Sequence, residues 1–229
     1  ADLGKQVILI DKDADLGGVC LNRGCIPSKA LLHIAKVIEE AKGLEKSGVK
    51  FADPTLDIDA IRSWKESVVS KLSKGISQLA KARNLQVLQG LATFDSPTQL
   101  SVKIEDGSRS ITFDNCIIAT GSRASSIPNF PTDHPRIINS TGALKLKDIP
   151  KSLLVIGGGY IGLEMGSVYN ALGSKVTVVE FMPSLLPGAD EDLVKPLARK
   201  LKKSFENIYL STKVSKVEPT DDEVTVHFE

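Results

Sequence analysis

The segment LLVIGGGYIG, residues 153–162, predicts the fold of the second half of this 229-residue chain. Its first four residues are apolar and predict a buried strand, and a helix is predicted to follow the glycines as far as Ala171. Gly173 is placed to end that helix, and residues 175–180 predict the next strand. A strand, a glycine turn, a helix and a second strand make a βαβ unit, whose two strands lie parallel in one sheet.

The glycines of this unit predict a dinucleotide site. The first glycine permits a tight turn, and the next lets backbone N–H groups approach a pyrophosphate at the positive end of the helix. The residues predicted to bind the cofactor here are Gly157, Gly158, Gly159, Tyr160, Ile161 and Gly162. Glu180 ends the second strand, where its carboxylate would bind ribose hydroxyls and repel a 2′-phosphate. No arginine follows at positions 181 and 182, so NAD is favoured over NADP; the alternative is a glycine-rich turn without a ligand.

Composition excludes several classes of function. The chain has 29 basic and 28 acidic side chains, so it has no net field that would attract nucleic acid or an anionic membrane. No apolar run is long enough to span a bilayer, and the N-terminus shows no secretory signal. The expected location is the cytoplasm, or an organelle reached by a presequence that has been lost. Three cysteines are too few for a disulfide-stapled secreted scaffold of this size, so a bridge between any two of them would more readily be catalytic.

The first half of the chain predicts a second α/β region. Residues 7–11 form an apolar run ending in Asp11, the pattern of a strand buried on both faces in a parallel sheet. Helical periodicity begins at Pro27 and returns from about Asp59 to Ala82, which predicts a helical hairpin. Residues 86–88, 100–104 and 111–113 predict short strands, with a hairpin turn at Asp106 and Gly107, and together a small antiparallel sheet. Residues 116–122 predict another buried strand, with Cys116 in the core.

Cys20 and Cys25 are the most informative side chains, in the sequence GGVCLNRGCIPSK of residues 17–29. Pro27 suits the first turn of a helix, so Cys25 should lie close to a helix N-terminus. That position lowers the pKa of a thiol and favours the thiolate that disulfide exchange requires. A zinc site would need further ligands, and neither Cys116 nor the three histidines have the spacing for one, so no metal is predicted. Two inert thiols are the remaining alternative.

Two charged residues accompany these motifs. Lys29 lies one turn after Cys25, and Glu164 lies in the first turns of the helix that follows the glycines at 157–162. Taken alone, each would be an ordinary surface charge. If the two halves of the chain face each other across a flavin ring, the pair would meet there and supply charge beside the redox atoms.

The motifs at 17–32, 117–122 and 157–166 resemble, in this order, those of the pyridine nucleotide-disulfide oxidoreductases, and the resemblance covers essentially the whole chain. The first motif is most similar to the branch of the family that oxidises dihydrolipoamide. The resemblance implies an α/β fold with two Rossmann-like domains. The first, residues 1–148, would bind FAD and carry the helical hairpin and the small antiparallel sheet as insertions. The second, residues 149–229, would bind NAD.

The resemblance also implies which residues contact the cofactors. For FAD they are Asp11, Gly17, Gly18, Val19, Cys20, Lys29, Ala92, Thr120, Gly121 and Ser122. Asp11 would bind the adenosine ribose, and Lys29 would lie near the flavin ring. Tyr160 would cover the flavin where the nicotinamide enters, and Val214 would contact the adenine of NAD through its backbone.

The catalytic residues implied are Cys20, Cys25, Lys29 and Glu164. Cys20 would exchange with the substrate dithiol, and Cys25 would lie against the flavin. Electrons would pass from dihydrolipoamide to the disulfide, then to FAD and then to NAD⁺. The implied partners are lipoyl domains of 2-oxo acid dehydrogenase complexes and a second subunit of a homodimer, which supplies a His–Glu base.

Three parts of the family pattern are missing from this sequence: the first FAD glycine motif, a later FAD-contact aspartate and the C-terminal dimerisation domain. We therefore expect both ends to be cuts through a larger architecture and this chain alone to be inactive. One alternative is a cofactor-binding module without catalysis. Others are a related flavoprotein that reduces a different disulfide, and a plain NAD-binding protein with incidental cysteines.

Overall fold

The computed structural model describes residues 1–128, 130–221 and 223–229. They form two compact units, the first made of Ala1–Ile26 and Glu66–Arg123 and the second of Pro27–Lys65 and Ala124–Glu229. Helices occur with both parallel and antiparallel sheets, which confirms the predicted α/β class. The domain bounds at 1–148 and 149–229 stay a prediction. None of the helices in these described ranges is long and apolar enough to cross a membrane.

The first unit begins with a parallel strand pair. Strand β1 (Ile8–Asp11) pairs with β2 (Gln86–Gln89), so that Ile8 lies opposite Gln86 and Asp11 opposite Gln89. The parallel pairing agrees with the sequence, but the predicted burial on both faces is wrong, because Ile8 is 40% exposed and Leu9 37%. The physical reason is the size of the sheet: among the described strands, β1 has β2 as its only hydrogen-bonded neighbour.

An antiparallel sheet of β3 (Leu91–Ser96), β4 (Gln99–Ile104) and β5 (Gly107–Thr112) follows in the same unit. The antiparallel pairing of β4 with β5 and the turn at Asp106 are confirmed, since Ile104 pairs with Gly107. The strand predicted at residues 86–88 was wrongly assigned to this sheet, because it lies in β2 and pairs parallel with β1. Strand β3 was not predicted as a separate strand. Its sequence, LATFDS, has no regular alternation of apolar and polar side chains, and five of its six residues are exposed.

Three helices connect these strands: α1 (Gly18–Arg23), α2 (Cys25–Gly43) and α3 (Ile58–Ala82). A short 3-10 helix, Leu44–Ser47, follows α2. The two long helices occur where the 3.6-residue period predicts them, and each contributes residues to both compact units. In the second unit the ring of His33 on α2 lies 6.4 Å from that of Trp64 on α3.

The strand predicted for residues 116–122 is wrong. These residues have no regular secondary structure, and Ile117 and Ile118 are 91% and 69% exposed. Cys116 is likewise exposed and not a core residue. An apolar segment becomes a buried strand only beside a strand that shares its hydrogen bonds, and no described strand pairs with this one.

The second unit contains a three-stranded parallel sheet in the order β6 (Ser152–Ile156), β7 (Lys175–Val179) and β8 (Asn207–Tyr209). Helix α5 (Tyr160–Ala171) connects β6 to β7, and α6 (Glu191–Ser204) precedes β8. The predicted βαβ unit is thereby confirmed. Helix α4 (Ser140–Lys145) comes before the βαβ unit in the chain. An antiparallel pair, β9 (Val214–Pro219) and β10 (Val224–Phe228), follows β8 and ends the chain's second compact unit.

The core of the second unit lies between α5 and the parallel sheet. Val168, Val176 and Val178 are fully buried there, and Phe205 packs behind them. Gly166 allows the close approach of helix and sheet, because a Cβ at this position would lie 3.1 Å from the Phe205 ring and 3.3 Å from the Val176 side chain. This packing fixes the N-terminus of α5 at the carboxyl end of β6, where the predicted dinucleotide site begins.

Candidate functional site

Cys20 and Cys25 form a disulfide in the first unit. Cys20 lies within α1, Cys25 is the first residue of α2, and their Cα atoms are 4.7 Å apart. The prediction that Cys25 lies at a helix N-terminus is therefore confirmed. Both residues are exposed, so the bridge can be reached from solvent. An accessible sulfur at the positive end of a helix is suited to disulfide exchange, because the helix dipole stabilises the thiolate that leaves.

The four residues between the cysteines are anchored to the segment that follows β1. The Asn22 side-chain amide donates to the carbonyl oxygens of Asp15 at 3.3 Å and Leu16 at 3.4 Å. Arg23 forms an ion pair with Asp13, whose backbone N–H donates to Asp11 Oδ1 at 3.0 Å. A chain of contacts thus joins the segment between the two cysteines to the end of β1. Sequence reasoning missed Asn22 and Arg23, since neither carries a recognisable chemistry by itself.

The other residues predicted to contact FAD also lie in the first unit, apart from Lys29. Gly17 and Gly18 have φ values of 120° and 63° at the start of α1, a conformation that favours glycine. Val19 lies in α1, Ala92 in β3 opposite Val102, and residues 120–122 in the irregular segment. Asp11, at the carboxyl end of β1, is where a ribose-binding carboxylate belongs. These residues fit the part of an FAD site that the chain carries; their contacts with FAD stay a prediction.

Lys29 and Glu164 meet in the second unit, although 135 positions separate them. Lys29 Nζ lies 2.7 Å from Glu164 Oε1, and the Ser28 hydroxyl donates to Glu164 Oε2 at 2.6 Å. Two successive residues of α2 thus hold both oxygens of one carboxylate on α5. The lysine side chain is 59% exposed and the glutamate side chain 26%, so a ligand that binds at this surface could contact both charged groups. The contact between α2 and α5 depends on tertiary packing. The hydrogen bond of Ser28 was not predicted, because no sequence pattern distinguishes this serine from others.

The glycine turn after β6 has the form that a pyrophosphate requires. Gly157 has a φ of 104°, a conformation that favours glycine. Gly159 is the N-cap of α5, and no side chain among the described residues caps the first N–H groups of this helix. A Cβ on either glycine would meet open space. By contrast, a Cβ on Gly162 would lie 2.3 Å from the Gly157 carbonyl oxygen, so the turn closes tightly on the helix. Open N–H groups at the positive end of a helix fit an anion, as NAD binding demands.

Glu180 directly follows β7 and is held at the glycine turn. Its Oε2 accepts the backbone N–H of Gly158 and its Oε1 that of Met182, both at 2.6 Å. The residue is only 7% exposed, so the orientation of the carboxylate is fixed by these two bonds. Each oxygen retains a second lone pair that can accept a ribose hydroxyl.

Two further predicted contacts flank this region. Tyr160, the first residue of α5, is 68% exposed. Val214 begins β9, where it pairs with Phe228. Their roles toward NAD and flavin stay predictions. In the described parts of the chain, no three His, Cys, Asp or Glu side chains are grouped to hold a metal ion.

Comparisons with known proteins identify relatives of this chain. The family model described as pyridine nucleotide-disulphide oxidoreductase matches residues 1–229. Dihydrolipoyl dehydrogenase of Haemophilus influenzae is 51% identical over 100% of this chain and 48% of its own length. The enzyme of the same name from Vibrio cholerae is 49% identical, also over 100% of this chain and 48% of its length. This chain therefore spans about half the length of the curated relatives it matches.

One solved structure is similar to this chain over its whole length. The HOCl-induced flavoprotein disulfide reductase RclA from Escherichia coli superposes with a TM-score of 0.81. It is 32% identical in sequence, and the match covers 100% of this chain and 48% of that one. The α/β fold class expected from the sequence is thus confirmed.

Proposed function

Because the chain belongs to the pyridine nucleotide-disulphide oxidoreductases, we propose that the protein carrying it oxidises dihydrolipoamide with NAD⁺, using FAD. The observation that carries this proposal is the Cys20–Cys25 disulfide, which is exposed at the start of α2. The names of the relatives, at 51% and 49% identity, support dihydrolipoamide as the dithiol. The substrate would arrive on lipoyl domains of 2-oxo acid dehydrogenase complexes, and the working form would be a homodimer.

The chemistry of the disulfide divides between its two sulfurs. One substrate thiolate attacks Cys20 Sγ, the bond to Cys25 breaks, and Cys25 leaves as a thiolate at the helix N-terminus. The second substrate thiol then attacks the substrate sulfur bound to Cys20. This step closes the cyclic disulfide of lipoamide: the proton of the attacking thiol passes to a base, and Cys20 leaves as a thiolate, which takes that proton from the base to become a thiol. The electron pair of the substrate is now held by Cys20 and Cys25.

The remaining residues would bind and orient the cofactors. When bound, FAD supplies the route by which the electron pair of the dithiol reaches NAD⁺. Lys29, fixed by Glu164, would contribute positive charge near the flavin ring, and Asp11 would hold the adenosine ribose. On the NAD side, the turn at 157–162 would hold the pyrophosphate, and Glu180 would accept the ribose hydroxyls.

The direct test is substitution of Cys25 by Ser in the full-length flavoprotein. We expect dihydrolipoamide-dependent NADH formation to be abolished, because the disulfide can no longer form. Cys116→Ser is the matched control, since this exposed cysteine lies outside the disulfide, and it should retain activity. Undiminished turnover by Cys25→Ser would overturn the proposal.

A second candidate is reduction of a different disulfide, as the likeness to a flavoprotein disulfide reductase suggests. Such an enzyme would run in the opposite direction, from a reduced nicotinamide to an external disulfide. Comparing NADH-dependent reduction of lipoamide with that of glutathione disulfide and other disulfides separates the two. A strong preference for a disulfide other than lipoamide would favour the second candidate.

A further inference from the structure

Ser28 makes a contact that the proposed chemistry leaves unexplained. It is a polar residue in the first turns of α2 and is only 5% exposed. Its hydroxyl donates to Glu164 Oε2 over 2.6 Å, a distance typical of a charge-assisted O–H···O⁻ hydrogen bond. A serine in a helix ordinarily turns its hydroxyl toward a backbone carbonyl of the preceding turn, so this bond to another helix is a specific arrangement.

The geometry of the carboxylate shows what this contact does. Glu164 ends in a freely rotating carboxyl group, and Lys29 reaches it with a long side chain that is 59% exposed. An exposed ion pair of this kind is weak by itself, because both side chains lose rotational freedom and water screens the charges. The buried hydroxyl on Oε2 removes the freedom of one partner, so that Oε1 is turned toward Lys29 Nζ at 2.7 Å.

We propose that Ser28 is a positioning residue, whose hydroxyl orients the Glu164 carboxylate and thereby holds the Lys29 ammonium in place. The inference rests on the proposed function insofar as the lysine serves the flavin-linked chemistry. The contact itself lies within one compact unit and can be tested without turnover.

The first experiment measures how freely Lys29 moves in the full-length protein. Lys29 is acylated with a limiting amount of an amine-reactive ester, and its labelling rate is followed by mass spectrometry. We expect Ser28→Ala to raise this rate several-fold, because the ammonium spends less time against the carboxylate. Ser28→Thr keeps the hydroxyl and should label at the wild-type rate. Equal rates for the alanine variant and the wild type would overturn the proposal.

The matched control is Ser174→Ala. Ser174 is also buried, at 3% exposed, and its hydroxyl donates over 2.6 Å to the Pro150 carbonyl, away from Glu164. The Ser174→Ala variant loses a hydrogen bond of similar length, so the substitution should lower the melting temperature without changing the labelling rate of Lys29. A labelling change equal to that of Ser28→Ala would show a general loosening of the fold and overturn the positioning role.

The second experiment measures dihydrolipoamide oxidation by the same variants. We expect kcat to fall about tenfold in Ser28→Ala, the effect of losing one hydrogen bond to a charged group, while the KM for NAD⁺ stays unchanged. Ser28→Thr keeps the hydroxyl and should have the kcat of the wild type. If even the wild type fails to oxidise dihydrolipoamide, the proposed function fails, whereas the labelling result still decides the role of Ser28. If labelling responds but kcat does not, the lysine is positioned without serving the reaction, and the proposal is overturned in that respect.

Discussion

The Glu180 carboxylate accepts a hydrogen bond from the backbone N–H of Gly158 over 2.6 Å. Glu180 directly follows β7, and Gly158 lies in the glycine turn between β6 and α5, so this bond joins the two sequence features expected to bind one dinucleotide. The same carboxylate accepts the Met182 N–H, which fixes its plane. A carboxylate held in this way is already oriented before the ligand arrives, and this lowers the entropic cost of binding.

Replacing Glu180 by Gln should therefore weaken NADH binding more than NADPH binding. The amide lacks the charge that repels a 2′-phosphate, and one of its two groups can no longer accept a hydrogen bond. We expect the KM for NADH to rise about tenfold, the effect of weakening one hydrogen bond to a charged group. Steady-state kinetics with both nucleotides check this. Glu191→Gln changes an exposed acid at the start of α6 and serves as the control; an equal effect there would contradict the assignment.

Gly162→Ala should destabilise the second unit. The added Cβ would lie 2.3 Å from the Gly157 carbonyl oxygen, so the backbone of the turn must move. We expect a loss of about 1–3 kcal/mol in the free energy of unfolding, as for other overpacked sites. Gly159→Ala is the control from the same turn, because its Cβ would meet nothing within 4 Å. Urea unfolding without added nucleotide measures both, and equal midpoints for the two variants would refute the packing argument.

Tyr169 should make stability depend on alkaline pH. Burial, and then the charge of Asp148, raise the pKa of Tyr169 from 10.0 to about 12. The folded state therefore holds the phenol proton more tightly than the unfolded chain. Its contribution to stability is complete below pH 10.0 and is lost as the pH rises through about 12.

Tyr169→Phe tests this dependence. The hydroxyl donates to the Ala143 carbonyl at 2.9 Å, so its loss should cost about 1 kcal/mol at neutral pH. The variant should also show a shallower fall in the free energy of unfolding across the alkaline range. Tyr209→Phe, at a tyrosine that is 40% exposed, is the control. Parallel pH profiles for wild type and Tyr169→Phe would contradict the prediction.

The thiol content should report the disulfide directly. The chain has three cysteines, of which Cys20 and Cys25 are bridged and Cys116 is free and exposed. A thiol-reactive dye should label Cys116 alone in the oxidised protein and all three residues after reduction and unfolding. Peptide mapping identifies the labelled positions. Labelling of Cys20 before reduction would show that the bridge is absent.

The βαβ unit and the glycine turn at 157–162 could be predicted from the sequence. These features are local: apolar strand runs, helical periodicity and glycines at turn positions act within about 30 residues of one another. For the same reason the position of Cys25 at a helix start could be predicted from Pro27. The resemblance to a family added cofactor contacts that no local pattern contains, and these remain predictions.

Two other features depend on tertiary packing and could not be predicted. Residues 7–11 and 116–122 have the composition of buried strands, but Ile8 and Ile117 are exposed, because burial depends on which strands lie alongside and not on the apolar run. The ion pair between Lys29 and Glu164, and the hydroxyl of Ser28 that orients it, join helices 135 or more positions apart. Such a contact forms only when α2 and α5 pack together. It could not be predicted, because no periodic pattern in the sequence indicates which distant residues the core brings together.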